Sequence, residues 1–477
     1  MNTVPRLTRQ TSAPKPGIVH LGPGAFFRAF NAIYTADAMA VDGGDWGIIA
    51  VSLRSPTARD QLGPQGGVFT AINMAPDGAQ YRQIDSIVDV LVAPENPGAV
   101  IDAMVAATTH IVSLTITEKG YCHAPSTGAL QLDHPDIQHD LLNPFAPKSA
   151  PGFLVEALAR RRAAGHAPFT VLSCDNLPDN GHLARKIVIA LAKERDTELA
   201  DWIAQNVPFP ATMVDRITPA TTDADIAALA EAQDYQDPAC VTHEPFRQWV
   251  IEDTFAGPRP AWQAAGAQFV GDVAAHEAMK LRCLNGTHSA LAYLGYLGGH
   301  ETISDTVADP DYARFVQHLW AAEILPAVVQ PEGEDLAAYT AALLERYRNP
   351  SIRHRTWQIA MDGSQKLPQR LLGTISENLA AGRDCSGLML VVAGWMRYVG
   401  GVDEVGAAID VRDPLADRLR TASDSAPDAA GKVAALLAMR DVFDQDLAET
   451  PSFQAGVLAA YTSLMDHGAK VCVAAIA

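Results

Sequence analysis

The chain has 477 residues, 48% of them apolar and 19% charged, which is too long for one ordinary core and too apolar for a disordered chain, so two domains are expected. A formal net charge of −19 excludes a nucleic-acid backbone as partner, because phosphate binding requires a basic face. It does not exclude a small anion, which needs only a local basic pocket.

Six cysteines, at 122, 174, 240, 283, 385 and 472, form no C-x-x-C pair. A zinc knuckle or thioredoxin-like centre is therefore not expected, and no metal site is assigned. Sparse, unpaired cysteines fit a reducing cytoplasm. Met1 to Lys15 lacks the apolar segment of a signal peptide, and no charge-free apolar run reaches the roughly 18 residues of a membrane span.

In chain order, Gly17–Leu21 reads as a short buried strand that runs into Gly22-Pro-Gly24-Ala-Phe26-Phe27-Arg28 and a helical stretch, Ala29 to Ala40. Strand, glycine turn and helix are the context of a dinucleotide-binding turn. Gly22 would permit the tight turn, and Gly24 would let a pyrophosphate approach the backbone. Phe27 occupies the third glycine position of that fingerprint, and a tight turn without a ligand fits the same residues. Arg28 is a candidate phosphate clamp or a solvated helix residue.

Trp46–Leu53 is a second strand. NAD enzymes commonly carry an acid near its end to hold ribose hydroxyls. Here the strand ends Ser52-Leu53-Arg54, and Arg54 could meet a 2′-phosphate, so NAD and NADP both stay open. Strands at 84–92, 110–117 and 169–173, with helices such as 99–107 and 153–164 between them, imply a doubly wound, mostly parallel sheet. Ligands of such sheets sit beyond the C-terminal strand ends. Two polar clusters fall there: Thr115-Ile-Thr117-Glu118-Lys119-Gly-Tyr121 and Ser173-Cys-Asp-Asn176-Leu-Pro-Asp-Asn-Gly181. Asn176 is a candidate donor to a substrate oxygen, though Asn at a strand end is also an ordinary turn residue. Asp215 and Arg216, embedded in apolar sequence, could touch ligand or form a structural ion pair. Glu244–Glu252 reads as another strand.

From about residue 277 the period changes to helical, with helices expected at 275–297, 311–325, 335–347, 367–381, 387–399, 428–449 and 452–467. The boundary is placed between 276 and 277, with a cleft between the halves as the place for a site. The first of these helices carries Lys280-Leu-Arg-Cys-Leu-Asn285-Gly-Thr-His288. At roughly 100° per residue, Lys280, His288 and Asn285 share one side of a helix with Leu281 and Leu284. A lysine in apolar surroundings loses hydration, its pKa falls toward neutrality, and it becomes a usable general acid or base without a metal. A lysine snorkelling to solvent fits the same pattern. Later, 349–370 concentrates Arg353, His354, Arg355, Lys366 and Arg370 in an acidic chain. It is either a carboxylate receptor, for which arginine offers a matching fork, or a solvated basic face.

Together the segments Ile18–Ala29, Ser113–Tyr121, Ser173–Asn176, Met213–Ile217 and Lys280–Ser289 resemble the polyol-specific long-chain dehydrogenases, the mannitol dehydrogenase family. The resemblance spans nearly the whole chain. Within that family, His354–Arg370 and Glu244–Asp253 are most similar to the fructuronate-reducing branch. The resemblance implies an α/β fold with a Rossmann-type N-terminal domain and a mostly α-helical C-terminal domain. It implies metal-free hydride transfer with NAD, NADP not excluded. It makes Lys280 the acid/base, surrounded by Asn176, Asn285 and His288, and places Asp215 and Lys366 on substrate-contact motifs; Arg355, Lys366 and Arg370 are the candidates for binding a uronate carboxylate. Gly22, Gly24, Phe26, Arg28, Arg54, Thr117, Glu118 and Lys119 become the cofactor set. The expected partner is a small sugar acid or polyol, and the expected assembly a monomer or small homo-oligomer. Many relatives carry histidines where this chain has Phe27 and Phe30. Two alternatives remain at this stage: a dehydrogenase of neutral polyols, and a non-catalytic NAD-binding sensor.

Overall fold

Five short apolar runs make the central sheet of the N-terminal half: β1 (Pro16–Leu21), β2 (Gly47–Ser52), β3 (Ile87–Val92), β4 (Ile111–Leu114) and β5 (Thr170–Ser173). In this computed structural model, which describes residues 4–124 and 127–476, they lie in the order β3-β2-β1-β4-β5 with every pairing parallel. That order is the dinucleotide-binding arrangement, whose ligand crevice opens where the strand order reverses, at β1 and β4. The strands read as near-continuous apolar runs because both faces are covered. Val19, Leu21, Val51, Val112, Leu114 and Val171 face one core with helices Pro97–Val105, Ala150–Ala163 and Asn180–Arg195. Ile18, Ile48, Ala50, Ile111 and Leu172 face the other, with Phe27, Phe30, Tyr34, Trp249 and Trp262.

The chain divides into two compact units, Met1–Ala274 and Ala275–Ala477. The second is helical and has its own core, built around fully buried Tyr293, Tyr312, Trp395 and Tyr398. No helix among the described residues is long and apolar enough to cross a membrane. All six cysteines are free and buried.

Several elements differ from the sequence reading. The helix expected from Ala29 to Ala40 is two pieces, Ala25–Ala29 and Asn31–Asp42, broken at Phe30 (φ −131°, ψ −84°). Phe30 packs on Phe26, Tyr34 and Trp249 at centroid distances of 5.0, 5.1 and 5.6 Å, so aromatic packing overrides helical continuity there. The strand expected over 84–92 starts only at Ile87, and a hairpin of Phe69–Ala75 with Gly78–Ile84 precedes it. Ser86 interrupts the run because its hydroxyl donates to Ala32 O at 2.8 Å. The strand expected from Glu244 narrows to Gln248–Glu252, downstream of Pro245, which has no N–H to give a ladder. The helix expected over 428–449 is two, Ala429–Leu437 and Gln445–Ala448.

Candidate active site

In the N-terminal unit the ends of β1 to β4 frame a cleft of about 1080 Å³, the size of site a large cofactor requires. Gly22, Gly24, Arg28, Arg54, Thr117 and Lys119 line it. Phe26 and Glu118 do not: Phe26 stacks on Phe30, and Glu118 is half-buried in a short turn, Glu118–Tyr121.

Gly22 is at φ +94°, and a Cβ there would collide with Thr115 O of the β4 end. Only glycine fits. At Gly24 the nearest atom to an added Cβ is Gly22 O at 4.0 Å, so this backbone lies bare to the cleft. The turn is braced from beneath. His20, fully buried on β1, has Nε2 at 2.9 Å from Thr115 Oγ1 and 3.2 Å from Gly22 O, and Nδ1 at 2.8 Å from Ser113 Oγ. Burial pushes its pKa down to about 3, so it is neutral; with Nε2–H donating toward the turn, Nδ1 accepts from the serine. Its ring stacks on Phe27 with centroids 3.6 Å apart and planes 10° apart. Phe27, which stands where the dinucleotide fingerprint has its third glycine, is therefore a structural lid on His20. Arg28 is buried and donates to Pro23 O at 2.8 Å, so it braces the turn as well as lining the cleft. Bare backbone at Gly24 and a fixed tight turn fit a dinucleotide; at the end of β2, where NAD enzymes commonly carry an acid, Arg54 stands exposed instead.

Thr117 has φ +63° and ψ 166°, a conformation rare for any residue but glycine. In a β-branched residue it carries a strain of about 1–3 kcal/mol. Asn176, at the end of β5, is exposed, and Asp215, at the end of strand Thr212–Asp215, is buried. Arg216 is a structural residue. Its guanidinium donates to Ala29 O at 2.7 Å and to Glu244 O at 3.0 and 3.1 Å. Burial, then the neighbouring Arg247, lowers its pKa to about 9.

In the helical unit, Lys280–Gly286 is a π-helical stretch between Ala274–Met279 and Thr287–Leu297. Each residue there advances less than the 100° assumed for a uniform α-helix, so the angular estimate made from sequence does not hold over this segment. Such stretches recur at functional sites. Carbonyls left by the widened turn are taken up by side chains. Trp320 Nε1 donates to Cys283 O at 2.9 Å and Tyr347 OH to Leu284 O at 3.0 Å. Thr287 Oγ1 donates to Cys283 O at 2.6 Å, and Arg370 Nη1 reaches Asn285 O at 3.4 Å and Ser289 Oγ at 3.2 Å.

Lys280 itself is 9% exposed and His288 6%. His288 packs against Tyr347 and His354 at 4.7 and 5.2 Å between ring centroids, and its Nε2 is buried with no hydrogen-bond partner among the described residues. Burial first, then the charges of His354, Arg346, Arg370 and Lys366, hold its pKa well below the usual histidine range, so it is neutral. His354 is likewise pushed down, to about 4, by burial and Lys366. Lys366 donates to Met361 O at 2.5 Å and Ile359 O at 3.3 Å, and burial followed by Arg370 lowers it to about 8. Arg370 lies on another π-helical stretch, Pro368–Leu372.

The basic stretch of the sequence thus separates. Lys366 and Arg370 join the His288 cluster, whereas Arg355 is exposed and pairs with Glu301 at 3.7 Å. Asn285 is half-buried beside His288 in the chain, on the same π-helical stretch as Lys280. Sequence reasoning assigned no role to His20, Tyr347, Trp320 or Asp175. A histidine inside an apolar strand was the available signal for the first; the rest show no local pattern.

Residues 16–264 match the Mannitol dehydrogenase Rossmann domain, and 272–465 the Mannitol dehydrogenase C-terminal domain. A D-mannonate oxidoreductase of Escherichia coli (strain K12) is 49% identical over 96% of this chain and 95% of its own length. A mannitol 2-dehydrogenase of Phaeosphaeria nodorum is 40% identical over 99% of this chain and 83% of its own. The structure of Pseudomonas fluorescens mannitol 2-dehydrogenase, a ternary complex with NAD and D-mannitol, superposes with a TM-score of 0.86 at 39% identity, covering 98% of this chain and 96% of that one. On these matches, which cover both units, the chain is an oxidoreductase that belongs to the mannitol dehydrogenase family.

Proposed function

We propose that this enzyme uses NAD(H) to reduce D-fructuronate to D-mannonate and to run the reverse oxidation. Gly22 and Gly24 would hold the pyrophosphate of the dinucleotide, whose nicotinamide would supply or take up the hydride. Reduction consumes one ketone, one NADH and one proton. Lys280 gives that proton to the oxygen developing negative charge, and recovers one from solvent afterwards. Asn176 and Asn285 donate hydrogen bonds to the same oxygen, where they count most because the charge grows in the transition state. His288, held neutral, donates to or accepts from a neighbouring hydroxyl without adding a competing cation. Asp215 holds a further hydroxyl.

The observation that carries the choice of a sugar acid is the pair Lys366 and Arg370. Both are largely buried, and neither is paired with a carboxylate among the described residues. Inward-facing cations without counter-charges are costly unless an anion completes them. A uronate carboxylate does so; a neutral ketose does not. We assign the carboxylate to these two rather than to solvent-facing Arg355. The likeness to the mannonate oxidoreductase supports the same substrate class. The test is steady-state NADH oxidation with fructuronate and with fructose, repeated with NADPH. Fructuronate should exceed fructose in kcat/KM by at least about tenfold, the value of one charged hydrogen bond. Preference for fructose would make the enzyme a polyol dehydrogenase, as the relatives named for mannitol are. Nucleotide binding with no substrate-dependent turnover would overturn both.

A further inference from the structure

Past the last residue pair of β4 and β5, Leu114 with Ser173, the two chains are still tied together, but by side chains. Asp175 Oδ1 accepts the Thr117 N–H at 2.8 Å. Its Oδ2 accepts the Ile116 N–H at 3.1 Å and the Tyr121 hydroxyl at 2.8 Å. The Tyr121 oxygen is also 2.5 Å from Ser173 Oγ, and Asn180 Nδ2 donates to the Asp175 carbonyl at 2.9 Å. Asp175 is 7% and Tyr121 2% exposed.

This network adds nothing to sheet pairing, which has ended. What it fixes is the overhang: the strained Thr117 on one side, and the residue after Asp175, Asn176, on the other. The overhang Thr115–Gly120 lines the cleft through Thr115, Ile116, Thr117, Lys119 and Gly120. A second left-handed residue, Cys122 at φ +53°, closes the turn. Strained backbone persists only where its surroundings over-determine it. Here a buried carboxylate with three donors from one loop does so. An amide in its place has a single acceptor oxygen and turns an N–H toward the remaining donors.

We propose that Asp175 and Tyr121 are positioning residues that latch the Thr117 loop in its strained shape, setting the affinity of the cleft for NAD(H) and the placement of Asn176. This rests on the reading of the cleft as the nucleotide site. The latch and that reading are separable by experiment. Amide exchange of segment 115–122 in the full chain without nucleotide tests the latch; NADH fluorescence titration of the wild type tests the reading. Asp175→Asn should deprotect the segment while β1, β2 and β4 stay protected. It should also weaken NADH binding about tenfold and lower kcat with it, for the loss of hydrogen bonds to a charged group. Tyr121→Phe should move both readouts the same way by a smaller factor, and serves if Asp175→Asn does not fold. Thr117→Gly, introduced into either variant, should recover most of the lost affinity, because glycine takes this conformation without strain. A purely structural role predicts the opposite: a lower melting temperature, unchanged NADH affinity and no rescue by glycine. Unchanged exchange in segment 115–122 in both variants would overturn the latch whatever the nucleotide result.

Discussion

The sharpest test of the sugar-acid assignment is the pH dependence of substrate choice. Lys366 has its pKa lowered to about 8, by burial first and by Arg370 second, with Asp362 and Asp413 opposing. Below that pH the amine is cationic and attracts a carboxylate; above it the amine is neutral and does not. Because kcat/KM reports the free enzyme, the fructuronate value should fall tenfold per pH unit once Lys366 has titrated. In the proposed mechanism Lys280 serves the ketone of either substrate, so its contribution cancels in the ratio of fructuronate to fructose. Between about pH 7 and about pH 9 the protonated fraction of Lys366 drops about tenfold, and the ratio should drop with it. Lys366→Gln keeps a donor for the carbonyls of Ile359 and Met361 but has no charge to lose, so in this variant the ratio should start low and stay flat. The assay is NADH oxidation at saturating coenzyme across that range. A wild-type ratio that does not change with pH, or one that still falls in Lys366→Gln, refutes the argument.

Further outcomes follow from the same geometry. Lys280→Ala should cut turnover by about 10²-fold or more, the usual weight of a general acid, with NADH affinity within about twofold of wild type; near-normal turnover would remove Lys280 from the mechanism. Gly22→Ala forces a side chain into Thr115 O at φ +94°, so it should lower the melting temperature and NADH binding together. Gly24→Leu projects into open cleft, so it should leave the melting temperature unchanged while abolishing NADH binding; a coupled loss of both would show that Gly24 is a folding residue. Glu323, fully buried, accepts the Gly387 and Leu388 N–H groups at 2.8 Å each, at the start of helix Ser386–Val399. Glu323→Gln should destabilise the protein by about 1.5–3 kcal/mol in urea unfolding without altering KM for either substrate.

The fold was legible where burial leaves a period behind. Strands covered on both faces must be apolar throughout, so Ile18–Leu21 and Ile48–Val51 announce themselves, and the helical half shows its own repeat. Breaks decided by distant partners were not legible: Phe30 is held by Trp249, far along the chain, and Ser86 by Ala32 O. The same division holds for the site. Gly22 was readable because its tight turn demands glycine. Lys280, Asn285 and His288 were read from sequence as a candidate set, but not the π-helical geometry that carries them, which depends on Trp320, Tyr347 and Arg370 from other helices. Lys366 and Arg355 look alike in sequence, eleven positions apart, and only packing turns one inward and leaves the other facing Glu301.

The widened turn at Lys280–Gly286 also confines the effect of a one-residue length change to one place in the chain. A π segment is an α-helix that has absorbed surplus chain, so deleting a single residue there would let the helix rewind. The flanking turns, His288 among them, would then keep their places, and what would be lost is the bulge itself: the aim of Lys280 and Asn285 and the carbonyls that Trp320, Tyr347 and Arg370 meet. On the proposed role of Lys280, a transplant of this chemistry onto another helix would carry the bulge and its three external donors along with the lysine.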